Sequence, residues 1–198
     1  AAYLALLDIP FTQGGEHRAG RQQELQRVGM QKALFSSPAA ARESTAARIA
    51  ILVKKAAPTA DEAREVDALR RFDAALEAID PTAFSRYQRL LAHLRDPEFG
   101  WRPREASDRL VIFSERIETL RWLANRLAAD LALGAGSIEV LHGQLSDTDQ
   151  QALVENFGRL DDPVRVLLCS DVASEGLNLH HFCHRLIHFD LPWSLMVF

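Results

Sequence analysis

The residues from Leu168 to Leu179, LCSDVASEGLNL, hold the densest group able to do chemistry. An apolar run ends at Ser170 and Asp171, and the small residues Ala173 and Ser174 lead on to Gly176. A glycine there lets backbone amides approach a ligand closely, and Asn178 offers a hydroxyl both a donor and an acceptor. A tight turn in which Asp171 caps a helix and Gly176 ends it accounts equally well for these residues taken alone. Three further polar groups stand where apolar runs end: Ser114 after LVIF at 110–113, His142 and Gly143 after IEVL at 138–141, and Asp190 after RLIHF at 185–189.

Other clusters carry less. Gly15 and Gly20, followed by Arg21 and Gln22, have the glycine spacing of a phosphate-binding loop. Arginine replaces the lysine of that motif, and glutamine replaces the hydroxyl residue that would hold Mg²⁺. Asp8, Pro10 and Gln13 also interrupt the strand that should precede it, so a turn before a basic helix is expected. His180, His181, Cys183, His184 and His188 crowd together, but no second ligand pair stands at a recognised spacing. A polar loop followed by a strand is the expectation there, with no metal. Trp101, Phe113, Trp122 and Trp193 have faces that could stack on bases; Trp122 falls beside an apolar helix stripe and Phe113 ends a strand, which assigns both to packing. Arg86, Arg89, Arg95, Arg102 and Arg104 read as a solvated face, with a phosphate-tracking surface as the alternative.

The elements that must position these groups differ between the two halves of the chain. From about Gln22 to Arg95 the period is helical. Ser37 before Pro38 signals the start of a helix running through Val53. Thr59 with Glu62 makes a capping box, after which Val66, Leu69, Phe72, Leu76 and Ile79 form one apolar stripe. Asp80-Pro81 is expected to open the next helix, which carries Phe84, Tyr87, Leu91 and Leu94. Asp96-Pro97 and residues 100–103 break the pattern, which places a domain boundary at 105/106.

From Asp108 onward, short apolar runs at 110–113, 138–141, 164–169 and 185–189 alternate with helical patterns. Ser114 is expected to cap the first of these helices, with Glu115 and Glu118 in its first turn and its end near Gly134 or Gly136. Ser146 and Asp149 open the second, which ends at Gly158. Apolar strands separated by helices predict an α/β domain whose parallel sheet is covered on both faces. Ligands of such sheets sit beyond the carboxyl ends of the strands, a rule that selects Ser114, His142, Gly143, Ser170, Asp171 and Asp190 as the chemical edge.

Taken in order, RLVIFS at 109–114, His142-Gly143 before a capped helix, SDVASEGLNL at 170–179 and LIHFDLPW at 186–193 resemble the second RecA-like lobe of superfamily 2 helicases. The flavour is Swi/Snf-type, close to the bacterial RapA group of ATP-dependent translocases, and the resemblance covers about residues 108–198. It implies a RecA-like parallel sheet flanked by helices (106–198) preceded by a mainly α-helical segment (1–105) that links the motor lobes. The strand ending at Phe113 would be motif IV and Ser170–Leu179 motif V. On that resemblance Ser114, His142, Gly143, Ser170 and Asp171 face nucleic acid, with the helix start at Ser146 helping to hold the strand. Glu175, Gly176 and Asn178 lie by the nucleotide, and Asp190 and Trp193 match the acidic and aromatic positions that precede motif VI.

Two positions depart from the family. Gln150 stands near where the family usually carries an arginine, which weakens the expected phosphate contact, and Trp193-Ser194-Leu195 replaces Trp-Asn-Pro. The chain begins without Met and stops at Phe198 inside an apolar stretch, so the arginines of motif VI are expected just beyond it. ATP and Mg²⁺ are the cofactors implied for an intact two-lobe protein, whose missing first lobe would supply the phosphate loop and the acidic magnesium site. Residues 1–198 by themselves are expected to bind no cofactor and not to hydrolyse ATP. Nucleic acid is the implied partner, DNA favoured over RNA.

Composition bounds these expectations. The 198 residues are 47% apolar and 25% charged, which excludes disorder, collagen and coiled coil. No apolar run approaches the ~18 residues of a membrane span. Ala1–Leu7 has no basic residue before it and meets Asp8 at once, unlike a signal peptide. Two cysteines cannot build a disulfide scaffold, which points to a reducing, cytoplasmic setting. Residues 1–105 carry a net charge of +2 and residues 106–198 a net of −6, so any contact of the second half with a phosphate backbone must be local. Two other function classes bear weighing. A phosphoribosyltransferase also ends a strand in acidic residues and a small-residue loop, but it wants two adjacent acids and a hydroxyl just past the glycine, which this sequence lacks. A non-catalytic helical module on a RecA-like scaffold would instead use the apolar stripes of residues 59–95 to dock a partner.

Overall fold

The computed structural model describes residues 1–12, 19–170 and 182–190, with backbone alone for 19–22. The chain divides into two compact units, Ala1–Pro81 and Thr82–Phe198. The first is helical: α1 (Ala2–Leu7), α2 (Ala19–Ser36), α3 (Pro38–Val53) and α4 (Ala60–Glu77). As expected, α3 opens where Ser37 Oγ accepts the Ala40 amide at 3.0 Å and Pro38 occupies a position that needs no amide proton. The capping box of α4 is also present: the Glu62 amide donates to Thr59 Oγ1 at 3.2 Å, and the Thr59 amide to Glu62 Oε2 at 2.8 Å. The α4 stripe of Val66, Leu69, Phe72 and Leu76 packs with Leu6, Ile9, Phe11, Met30 and Leu52. Beside that core Glu65 is fully buried, and its charge is met by Arg48 (Nε–Oε1 2.7 Å) and by the Thr12 amide at 2.7 Å.

The second unit contains α5 (Ser85–Arg95), β1 (Arg109–Phe113), α6 (Ile117–Asp130), β2 (Ile138–Leu141), α7 (Asp147–Phe157), β3 (Val166–Cys169) and β4 (Cys183–His188). The four strands form one parallel sheet in the order β2-β3-β1-β4. The path from β1 through α6 to β2 crosses the sheet one way, and the path from β2 through α7 to β3 crosses it the other. Right-handed crossovers in opposite directions must put α6 and α7 on opposite faces, and they do. Leu110, Ile112, Val166 and Leu168 pack with α5 and α6, whereas Val111, Phe113, Leu167 and Cys169 pack with α7. The RecA-like parallel sheet flanked by helices is therefore present. Its coverage is complete on β1 and β3 but not on the edge strand β4, where Leu186 is 53% exposed.

Four local expectations differ from the structure. The compact units part at Pro81/Thr82, not at 105/106, because Tyr87, Leu90, Leu91 and Leu94 of α5 share the core of the sheet. Pro81–Ala83 forms only a short 3₁₀ turn, and α5 begins at Ser85. Ser114 does not cap α6; Arg116 occupies the N-cap position, with no side-chain bond to the helix. That helix also stops four to six residues before the glycines. Ala132 takes a left-handed conformation (φ 50°), and the Leu133 amide reaches back to Ala128 O at 2.9 Å, closing a Schellman-type turn on an alanine.

The opposite end of the sheet is tied by two arginines. Arg109 is fully buried, lies over the rings of Phe157 and Phe182, and donates to the carbonyls of Ala106, Asn156, Phe157, Arg159 and Asp162. It thereby supplies the cation and donors that the carboxyl end of α7 lacks. Arg185 of β4 pairs with Asp108 (2.5 Å) and donates to Phe99 O and Gly100 O, which anchors the 96–108 segment.

Candidate functional site

The strand register decides where the chemical residues lie. Leu141, Cys169, Phe113 and His188 are aligned across the sheet at the last paired row. One residue further on, the ladder persists: the Ser170 amide donates to Leu141 O (2.9 Å), the Ser114 amide to Cys169 O (3.1 Å) and the Phe189 amide to Phe113 O (2.9 Å). His142, Ser170, Ser114 and Phe189 thus form a single row along one rim, with Asp190 immediately after. Strand alternation carries the side chains of His142, Ser170 and Ser114 to the face covered by α6.

Each of these side chains is held differently. Ser114 is 1% exposed; its hydroxyl donates to Asp190 Oδ2 at 2.8 Å and accepts the Arg116 amide at 3.4 Å. Asp190 Oδ1 also accepts the Glu115 amide at 3.1 Å, so one carboxylate fastens the whole β1–α6 corner. Ser170 is 5% exposed, and among the described residues its hydroxyl has no hydrogen-bond partner. Leaving a buried hydroxyl unpaired costs about 1–3 kcal/mol, which marks Ser170 as a group kept for something other than stability.

His142 is buried, and burial together with the nearby Arg121 cation pulls its pKa below the ordinary value, with Glu118 opposing. Its Nδ1 accepts the Gln144 amide at 3.3 Å, so the neutral ring carries its proton on Nε2. At the start of α7, Ser146 Oγ accepts the Asp149 amide at 3.2 Å as expected. Gln150, in place of the family's arginine, donates its side-chain amide to Leu145 O at 3.0 Å and so braces the loop leading from Gly143.

Asp171, Glu175, Gly176 and Asn178 lie outside the described residues, as do Trp193 and the glycine loop at Gly15. Other groups weighed from sequence are used internally. Phe113 stacks on His188 at 5.2 Å, and Trp122 meets Phe84 and Tyr87 edge-on. Trp101 donates to Asp108 O. Of the arginine series, Arg86 lies over Phe189, Arg95 donates to Asp130 O and Arg102 pairs with Glu105.

Two features of the rim were not foreseen. The Ser114–Asp190 bond spans 76 residues, which no local spacing could suggest. Arg121 joins the site because α6 packs on β2; its place one turn into that helix, after Glu118, gave no local signal. The rim is a poor magnesium seat: its described carboxylate, Asp190, has both oxygens engaged, whereas Mg²⁺ wants several free oxygens in octahedral array. The two cysteines are free, and burial raises both thiols, Cys169 strongly. Among the described residues no helix is long and apolar enough to cross a membrane.

The model of the helicase conserved C-terminal domain matches residues 87–198, more than half of the chain. A human protein named probable ATP-dependent RNA helicase DDX43 is 36% identical over 90 residues, covering 46% of this chain and 13% of its own length. SNF2 domain-containing protein CLASSY 4 of Arabidopsis thaliana is 30% identical over 89 residues, 44% of this chain and 8% of that one. RNA polymerase-associated protein RapA of Photobacterium profundum is 30% identical over 101 residues, 49% of this chain and 10% of that one. The matched part thus spans only about a tenth of these relatives. Among solved structures, the C-terminal part of the Fun30 ATPase domain superposes with a TM-score of 0.51 at 15% identity, over 99% of this chain and 71% of that one.

Proposed function

The chain belongs to the helicase conserved C-terminal domain family; from that premise we propose that it is a second lobe of Swi/Snf type and serves as the nucleic-acid-gripping half of an ATP-dependent translocase. ATP lies between this lobe and a first lobe that also holds Mg²⁺, and its binding and hydrolysis supply the closing and opening of the two lobes. Glu175, Gly176 and Asn178 contribute this lobe's edge of the nucleotide cleft. Ser170, His142 and the Gly143 backbone meet the strand, with Asp171 beside them, and Ser114 frames the rim. DNA is favoured over RNA, although the relatives include proteins named as RNA helicases. The helical segment ahead of the sheet, expected over 1–105 and compact by itself over Ala1–Pro81, links the lobes, and the two free cysteines suit a cytoplasmic setting. The family match leaves the phosphoribosyltransferase alternative without support.

The observation that carries this is the buried hydroxyl of Ser170, unpartnered among the described residues and in row with the Nε2 proton of His142. Both are donors, and a phosphodiester oxygen is an acceptor. The net charge of −6 over residues 106–198 argues against bulk attraction, so neutral donors in fixed places, with the Arg121 cation beside His142, do the gripping.

The test separates function from stability. Ala at position 170 removes a hydroxyl that has no partner among the described residues. Ser170→Ala should therefore fold as stably as the parent, or up to about 1 kcal/mol more so. The KM for nucleic acid in ATP hydrolysis by the full-length protein should rise about fivefold. A destabilised variant with unchanged KM would remove the basis of the proposal.

A further inference from the structure

Ser114 and Ser170 are adjacent in the sheet, occupy the same row and are turned to the same face, yet their hydroxyls are in opposite states. Ser170 donates to nothing among the described residues, whereas Ser114 donates to Asp190 Oδ2 at 2.8 Å. Asp190 does not drift there by chance: Phe189, the residue before it, is bonded to Phe113 O and is buried against Phe84. A serine hydroxyl has one proton, and a phosphodiester oxygen can only accept. Ser114 therefore cannot donate to a phosphate and to Asp190 together.

We propose that Asp190 is a latch on Ser114: with no strand bound it holds the hydroxyl's only proton, and a phosphate arriving on the rim takes that hydrogen bond over and frees the carboxylate. No proton is transferred; one O–H···O bond is exchanged for another. The inference rests on the rim being the nucleic-acid contact. It goes beyond that in making the β1–α6 corner and the exit of β4 two parts of a switch. Ser114 Oγ is bonded to Oδ2 and the Glu115 amide to Oδ1 of the same carboxylate, so release of the first bond loosens the hold on the second.

The test measures binding of a labelled DNA oligonucleotide to the nucleotide-free full-length protein by fluorescence anisotropy. Asp190→Asn removes the charge but keeps an oxygen that accepts from Ser114, so the latch persists. Asp190→Ala has the same charge and no acceptor. Asp190→Ala should bind about fivefold more tightly than Asp190→Asn, the effect of no longer breaking one neutral hydrogen bond. The gain should vanish in the double variant with Ser114→Ala. Equal binding by the two Asp190 variants, or a gain that survives Ser114→Ala, would overturn the latch. Ser170→Ala runs alongside: if it binds like wild type, the rim itself is misassigned and the latch falls with it, whereas weakened binding by Ser170→Ala with equal Asp190 variants sinks the latch alone. A measurement without variants adds to this. In the wild-type protein the Glu115 amide, bonded to Asp190, should exchange at least threefold faster with DNA bound, and unchanged or slower exchange counts against the proposal.

Discussion

Replacing Arg109 tests whether a buried cation can be held by backbone carbonyls alone. The guanidinium is 0% exposed, stays protonated in any folded protein, and is surrounded by five carbonyl oxygens with no carboxylate among its bonding partners. Burial lowers its pKa and nearby Arg165 adds to that, while Asp162 and Asp161 oppose. Many buried ions can be exchanged for apolar side chains at little cost, because both partners go together. Here the partners belong to the backbone and cannot be removed. Arg109→Met keeps much of the volume but strands the carbonyls of Phe157 and Arg159 at the end of α7, a loss of about 3 kcal/mol. Arg109→Ala adds an unfilled space, for about 4–5 kcal/mol in all. Arg109→Lys keeps the charge but cannot span both sides of the fork, for about 2 kcal/mol. All three tryptophans (Trp101, Trp122 and Trp193) lie in the second unit, so tryptophan fluorescence in urea reports that unit. With a slope of about 1.5 kcal/mol per M, the methionine variant should lower the midpoint by about 2 M. A methionine variant as stable as the parent to within about 0.5 kcal/mol would refute the reasoning.

Two other perturbations have clear signs. Ala132 holds a left-handed conformation that costs an L-residue roughly 1 kcal/mol; Ala132→Gly should raise the same urea midpoint, even after glycine's greater unfolded-state entropy is deducted, and a lower midpoint would contradict the strain. Burial and Arg121 depress the His142 pKa below 6.5, so the folded state resists a proton that the unfolded state accepts. The resulting stability is whole above pH 6.5 and is lost as pH falls through the lower folded value. His142→Gln, which keeps a neutral acceptor, should flatten that part of the stability–pH curve, and parallel curves for the two proteins would argue against a buried neutral imidazole.

Local signals in the sequence determined the elements and their types. Ser37-Pro38, Thr59 with Glu62, and Ser146 with Asp149 each satisfy amides within their own first turn, so neighbours three residues apart suffice to place a helix start. The apolar run at 110–113 likewise became a strand buried throughout, and the run at 138–141 a partly buried edge strand, since both are too short for a helix. From the alternation of these elements followed the parallel sheet, and from the sheet the rim on which Ser114, His142 and Ser170 now stand in register.

Tertiary packing decided what short range could not. The end of α6 went to Ala132 and not to a glycine because Leu131 and Leu133 pack against the core, and that gain outweighs the strain. Helix α5 joined the sheet unit because its apolar face fits beside β1, whatever the breakers at residues 96–103 suggest about a boundary. Ser114 became the partner of Asp190 because the β1–β4 register brings a carboxylate, a strong acceptor, to its hydroxyl, while α6 begins only at Ile117 with Arg116 at the N-cap. Whether a serine at a strand tip is latched or open depends on what the neighbouring strand brings to it, and that is a property of the sheet, not of the residues on either side.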